Sequence, residues 1–183
     1  MITCLILIVA AVLVFAAYNG VMIARYGVPA SLSETYYLLR ADNKVACYSF
    51  TAMMWAVAFL LLPAWIEVSE AVGTWERYFT FLAFLAAAAI CFVGGAPAFR
   101  ELSIESKVHS ISAKLAAFFA LAWCLVVCWR IAYIVPVMCV VVLITAASTK
   151  TLKKCATYWI EMCAFAATFA TLFVECLCLM QKA

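Results

Sequence analysis

Six long stretches of apolar residues constrain the fold of this chain more than any other feature of its sequence. They cover residues 2–24, 45–66, 78–99, 108–129, 131–148 and 156–180. An α-helix needs about 20 mainly apolar residues to cross the hydrocarbon core of a bilayer, and each stretch is close to that length. None of them alternates apolar and polar residues as a membrane β-strand does. The sequence therefore predicts an all-α integral membrane bundle of six transmembrane helices.

The composition excludes several classes of protein. Of the 183 residues, 70% are hydrophobic and 11% are charged. A soluble domain has about 45–50% apolar and about 25% charged residues, so a soluble globule and a disordered chain are both excluded. Twelve basic residues against nine acidic ones provide no strongly basic surface for a phosphate backbone. We expect the lipid bilayer, and no nucleic acid, as a partner.

Basic residues are concentrated in the first, third and fifth connections between the predicted spans. These connections hold Arg25, Arg40, Lys44, Arg100, Lys107, Lys150, Lys153 and Lys154, whereas the other face holds Arg77, Arg130 and Lys182. Cytoplasmic connections of membrane proteins carry the excess of basic residues. We therefore expect an inner or plasma membrane protein whose odd connections are cytoplasmic and whose termini both lie outside.

Aromatic residues at the ends of the predicted spans support these boundaries. Tryptophan and tyrosine are enriched at both membrane surfaces. The sequence predicts an outer belt and an inner belt, formed by Trp65, Trp75, Tyr78, Trp129 and Tyr133 and by Tyr36, Tyr48, Tyr158 and Trp159, respectively.

The first connection has the pattern of a short amphipathic helix. Ser31 and Glu34 have the spacing of a capping box, and apolar residues recur at helical spacing after them. We expect this helix to lie on the cytoplasmic membrane surface, either as a simple connector or as a gate or docking element.

The end of the third span contains Gly94, Gly95 and Pro97. Two interpretations are open. The helix unwinds there and faces the bundle interior, or the small residues allow close packing of helices.

The sixth span carries a polar stripe. At about 100° per residue, Thr157, Glu161, Thr168 and Glu175 fall within about 40° of one another. Lys114 in the fourth span has the same predicted depth as Glu161, so the sequence predicts a buried ion pair between them. Arg130 and Glu175 form a second candidate pair. These pairs either contribute to a functional site or only fix the register of the helices.

The polar residues inside the spans define the candidate site. We expect non-enzymatic binding or passage of a small polar ligand, an ion or a lipid headgroup, with a cytoplasmic opening beside Gly94, Gly95 and His109. The candidate binding residues are Asn19, His109, Lys114, Glu161, Thr168 and Glu175.

Two other functions are open. One is an assembly or regulatory protein without a ligand. The other is a lipid-modifying enzyme in which Lys114 activates Ser110, four residues before it on the same helix face. A histidine-based zinc site is excluded because the chain has one histidine, and no cofactor is expected.

Cysteines and alanines suggest two further features. The ten cysteines are expected to pack as small apolar side chains, and one disulfide from Cys4 to Cys176 or Cys178 is the exception to test. Alanine-rich faces at 86–89 and 164–167 permit association into a homo-oligomer.

Three segments carry a resemblance to other proteins. They are GVPASLSETYY at 27–37, FVGGAPAF at 92–99, and Val108 with His109. These segments resemble a group of small uncharacterised membrane proteins from bacteria and their phages. The resemblance covers the first two thirds of the chain. It implies that the surface helix, the glycine-rich segment and His109 belong to one recurring arrangement, and it implies no activity.

Overall fold

The computed structural model describes residues 1–95, 105–128, 130–148 and 150–182. The described residues form helices and connections without a β-strand, which confirms the all-α prediction. In chain order the helices are α1 (Ile2–Tyr26), α2 (Glu34–Asp42), α3 (Tyr48–Val72), α4 (Thr74–Arg77), α5 (Thr80–Gly95), α6 (Glu105–Val127), α7 (Ile131–Ser148) and α8 (Ala156–Lys182).

Three of these helices, α1, α3 and α8, are long and apolar enough to cross a membrane. They indicate a membrane protein, as the sequence predicts. The apolar parts of the other three predicted spans are shorter, namely Thr80–Gly95, Ile111–Val127 and Tyr133–Ser148. The structure thus confirms a helical bundle in which three helices are candidates for membrane spans, and it does not confirm the count of six.

Helix α3 occupies the centre of the bundle and packs against α1, α5 and α8. Helix α6 packs against both α5 and α8, and α7 packs mainly on α8. Helix α5 packs closely on its neighbours because the alanines on its inner face have small side chains. Ala83, Ala86 and Ala87 are all buried. This arrangement leaves α3, α5, α6 and α8 around a common interior.

The two ends of the bundle are recognised by their contacts. At one end, which we call the linker end, the α1–α2 linker (residues 27–33) contacts the start of α8. The Tyr158 N–H donates to the Ala30 carbonyl at 3.1 Å, and the Cys155 thiol donates to the Val28 carbonyl at 3.3 Å. At the far end, Arg130 lies beside Glu175. In addition, Met1 lies beside Glu67 and Thr51 lies beside Gly94, so α1, α3 and α5 run in alternating directions.

Helix α2 forms where the amphipathic pattern predicts it. The Ser31 hydroxyl accepts a hydrogen bond from the Glu34 N–H at 3.2 Å, and the Glu34 carboxylate accepts one from the Ala30 N–H. Tyr36 is buried, with its ring centroid 6.4 Å from that of Phe50. Helix α2 is therefore packed against α3, and it does more than rest on lipid.

The contacts of Gly94 distinguish between the two interpretations of the glycine-rich segment, as far as residue 95. The chain is helical through Gly95, and a Cβ atom on Gly94 would lie 2.7 Å from the Cβ of Met54. Thr51 donates to the Gly94 carbonyl at 2.7 Å, and Trp55 donates to the Cys91 carbonyl at 3.0 Å. The expected unwinding is wrong for Gly94 and Gly95, because α3 packs closely on this end of α5. Pro97 lies outside the described residues.

The residues predicted for the two aromatic belts differ in their exposure. Trp75, Tyr78, Tyr133 and Tyr48 are exposed. Trp65 is not an interfacial residue, because it is fully buried with its ring 6.2 Å from that of Trp123. Tyr36 and Tyr158 are buried as well, and Trp129 lies outside the described residues.

Candidate functional site

A cavity of about 60 Å³ lies in the interior between α3, α5, α6 and α8. Its volume is sufficient for a few water molecules or a molecule of a few non-hydrogen atoms. Residues of the α1–α2 linker form part of the wall. The lining residues are Leu32, Ser33, Met54, Leu61, Trp65, Ile90, Val93, Ala113, Ala116, Ala117, Ala120, Glu161, Ala164, Phe165 and Thr168.

Small side chains on one face of α6 leave this space open. Ala113, Ala116, Ala117 and Ala120 recur at helical spacing and all line the cavity. On α3 the lining runs from residue 54 to residue 65, which corresponds to about 16 Å along the helix axis. The cavity is therefore long and narrow, and most of its wall is apolar.

Glu161 is the only charged residue among the described residues of the lining. One carboxylate oxygen accepts a hydrogen bond from the Leu32 N–H at 2.7 Å, which holds the α1–α2 linker against α8. Within the described part of the chain, no cationic group lies within 4 Å of this carboxylate. Glu161 thus has a backbone partner, and the described residues supply it with no compensating charge.

Trp65 brings a second polar group to the cavity wall. It is fully buried, and its indole N–H has no hydrogen-bond partner among the described residues. A buried donor without a partner costs about 1–3 kcal/mol. The neighbouring Trp123 differs, because its N–H donates to the Ser69 hydroxyl at 2.8 Å. Within the described part of the chain, the residues that line the cavity therefore include a carboxylate without an ion-pair partner and a tryptophan whose N–H has no acceptor.

The ion pair expected between Lys114 and Glu161 is not formed. Lys114 is exposed on α6, whereas Glu161 contacts Leu32. Lys114 is rotated by about 100° from Ala113, the alanine that lines the cavity. The matching of depths did not predict the rotation of α6, which turns its alanines to the cavity and leaves Lys114 exposed.

Asn19 lies outside the cavity lining. It is buried, donates to the Phe15 carbonyl at 2.8 Å, and accepts a hydrogen bond from the Tyr158 hydroxyl at 3.1 Å. Both of its polar atoms thus have partners on α1 and α8.

The polar stripe of α8 is divided between two places. Glu161 and Thr168 line the cavity, and the Thr168 hydroxyl donates to the Ala164 carbonyl at 2.9 Å. Glu175 lies at the far end with an oxygen 3.9 Å from Arg130, so the second candidate pair is present.

The remaining candidates receive less support from the structure. The backbones of His109 and Ser110 lie in α6, and the structure does not describe their side chains.

All ten cysteines are free, so the disulfide considered between Cys4 and Cys176 or Cys178 is not formed. Cys4 donates instead to Glu67 at 2.9 Å. Among the described residues, no group of three or more histidine, cysteine or carboxylate side chains is placed to hold a metal ion.

Sequence reasoning missed two parts of the cavity wall. The alanine spacing on α6 is visible in the sequence and could have identified the face that borders a space. The sequence predicts that Trp65 lies in the outer aromatic belt. No sequence signal predicts that its N–H has no hydrogen-bond partner among the described residues.

Comparisons with known proteins identify no relative. No protein-family model, no curated protein and no solved structure matches this chain. The function is therefore inferred from the geometry of the bundle alone.

Proposed function

We propose that this chain is a multi-pass membrane protein that binds a small polar ligand, an ion or a headgroup in the cavity between α3, α5, α6 and α8, without changing it chemically. One observation carries the proposal. The Glu161 carboxylate lies in the wall of a partly open cavity and has no cationic partner among the described residues.

Energetics support a ligand at this position. An ionisable group inside a membrane protein is costly, and it normally faces a partner or a water-filled cavity. The single hydrogen bond from Leu32 compensates for only part of the lost hydration of Glu161. A bound molecule that donates hydrogen bonds would compensate for the rest.

Binding has more support than passage through the bundle. Beyond Thr168, the next residues of the inner face of α8 are Thr171 and Leu172, and both are fully buried. Thr171 donates to the carbonyl of Ala167 in its own helix. Glu175 at the far end lies beside Arg130. Along the described residues of α8, these contacts leave no row of unpaired polar groups leading from the cavity to the far end.

The proposal includes six spans with the linker end in the cytoplasm. Contacts at both ends support the span count. Thr51 meets the end of α5 at the linker end, Trp123 of α6 meets Ser69 towards the far end, and α7 runs back beside α8. The orientation is supported by exposed basic residues at the linker end, namely Arg25, Arg40, Lys44, Lys150, Lys153 and Lys154.

Filling the cavity tests the proposal. Ala117→Leu adds volume to the cavity wall, whereas Ala88→Leu adds the same volume at an exposed position on α5. We would titrate n-propylamine, n-propanol and propanoate at millimolar concentrations into the protein in phosphatidylcholine nanodiscs and measure the heat of binding. At least one probe should bind the wild type and the Ala88→Leu variant, and its affinity should fall at least tenfold in Ala117→Leu.

Two results would contradict the proposal. One is that none of the probes binds the wild type. The other is that binding persists unchanged in Ala117→Leu. Either result would favour the alternative of an assembly protein without a ligand.

A further inference from the structure

We infer that the ligand is a small organic cation, a protonated primary amine with a short apolar substituent, whose ammonium group binds the Glu161 carboxylate. This inference rests on the proposed function and specifies the class of ligand.

Charge selects a cation over other small molecules. Among the described residues of the lining, Glu161 is the only one with an ionisable side chain, and its ionised form is negative. Opposite charges in a poorly solvated site attract more strongly than in water, and like charges repel to the same degree. An anion such as a carboxylate is therefore excluded from this cavity, and a neutral molecule gains no charge attraction there.

Hydrogen bonding favours an ammonium group. A carboxylate accepts several hydrogen bonds, and the described residues supply one to Glu161, from the Leu32 N–H. An ammonium group carries N–H donors and forms short, charge-assisted hydrogen bonds with a carboxylate. It would complete the partners of Glu161 without displacing the α1–α2 linker.

The apolar wall favours a hydrocarbon substituent on the amine. Ala113, Ala116, Ala117 and Ala120 border the cavity on α6, and Phe165 borders it one turn after Glu161 on α8. Burying a short alkyl group against these side chains removes apolar surface from water. The volume of about 60 Å³ limits the substituent to a few carbon atoms unless the walls move. A bare metal cation would leave this surface unused.

Calorimetric titration of the full chain in phosphatidylcholine nanodiscs tests the inference. n-Propylamine and n-propanol have nearly the same shape and differ in charge, and propanoate reverses the charge. We expect the amine to bind the wild type at least tenfold more tightly than the alcohol, and propanoate to show no binding.

Glu161→Gln is the matched variant. Its amide oxygen can still accept the hydrogen bond from the Leu32 N–H, so the linker contact is retained while the charge is removed. The affinity for the amine should fall at least tenfold, and that for the alcohol should stay unchanged. Glu70→Gln removes an exposed carboxylate from α3 and should leave both affinities unchanged.

The outcomes separate this inference from the proposed function. Equal affinities for amine and alcohol in the wild type, both lost in Ala117→Leu, would overturn the cationic ligand and leave binding in the cavity intact. Binding of no probe would overturn both. If Glu161→Gln fails to fold, the relative affinities of the wild type for the amine, the alcohol and propanoate test the inference without the variant.

Discussion

Asn19 and Tyr158 show how a buried polar residue is stabilised in an apolar bundle. The Tyr158 hydroxyl donates to the Asn19 side chain, and both residues are buried. Tyr158→Phe removes this donor and leaves the Asn19 oxygen without its partner on α8. We expect the free energy of unfolding to fall by about 1–2 kcal/mol, the cost of an unsatisfied buried acceptor.

The measurement is reversible unfolding in mixed micelles, followed by circular dichroism. Tyr78→Phe is the matched control because Tyr78 is 75% exposed, and its unfolding should not change. An equal effect of the two substitutions would show that the contact between Tyr158 and Asn19 contributes nothing specific.

Individual residues also show how far the sequence predicts the site. The helical period of α8 predicts that Glu161 and Thr168 share a face, and both line the cavity. The same period and depth predict a partner for Glu161 in Lys114, and there the prediction is wrong. Counting residues along a helix gives depth, but the rotation of α6 depends on which side chains pack best, and the alanines determine it.

At the scale of helices, the close contact of α3 and α5 depends on the missing side chain of Gly94. A Cβ atom there would lie 2.7 Å from that of Met54. Gly94→Ala should force the helices apart and lower the free energy of unfolding by about 1–3 kcal/mol. Thermal unfolding in micelles measures the effect.

Gly20→Ala is the control for helix propensity. Nothing lies within 4 Å of a Cβ atom at Gly20, so alanine should stabilise α1 by about 0.5–1 kcal/mol. If Gly94→Ala stabilises the protein as well, the inferred close packing of α3 and α5 is incorrect.

The α1–α2 linker marks the limit of prediction for whole elements. The pattern at Ser31 and Glu34 correctly predicts a short helix, although α2 begins at Glu34 and its N-cap is Ser33, with no side-chain cap hydrogen bond. The attachment of the linker to α8 involves the backbone atoms of Val28, Ala30 and Leu32. Every residue type has such atoms, so no residue pattern in the sequence identifies this contact.

At the scale of the whole molecule, the apolar stretches correctly predict a helical membrane bundle, whereas the number of spans needs a test. We expect alkaline phosphatase to be active when fused after Arg77 or Arg130 in a bacterial host. Green fluorescent protein should be fluorescent when fused after Lys44, Glu105 or Lys154, because these connections are proposed to be cytoplasmic. An active phosphatase after Glu105 would contradict spanning by α5 and α6. If every fusion gave the opposite activity, the proposed orientation, with the linker end in the cytoplasm, would be contradicted.

The central claim is that a small molecule reaches the cavity, and labelling of a single introduced thiol tests it most directly. Ala117→Cys places a thiol in the cavity wall, and Cys124 on the same helix is a buried native control that does not line the cavity. The reagent is 2-aminoethyl methanethiosulfonate, which carries an ammonium group, and mass spectrometry assigns the modified residues. We predict that the thiol at position 117 reacts, that n-propylamine slows its reaction, and that Cys124 stays unmodified. A thiol at position 117 that stays as unreactive as Cys124 would contradict the account.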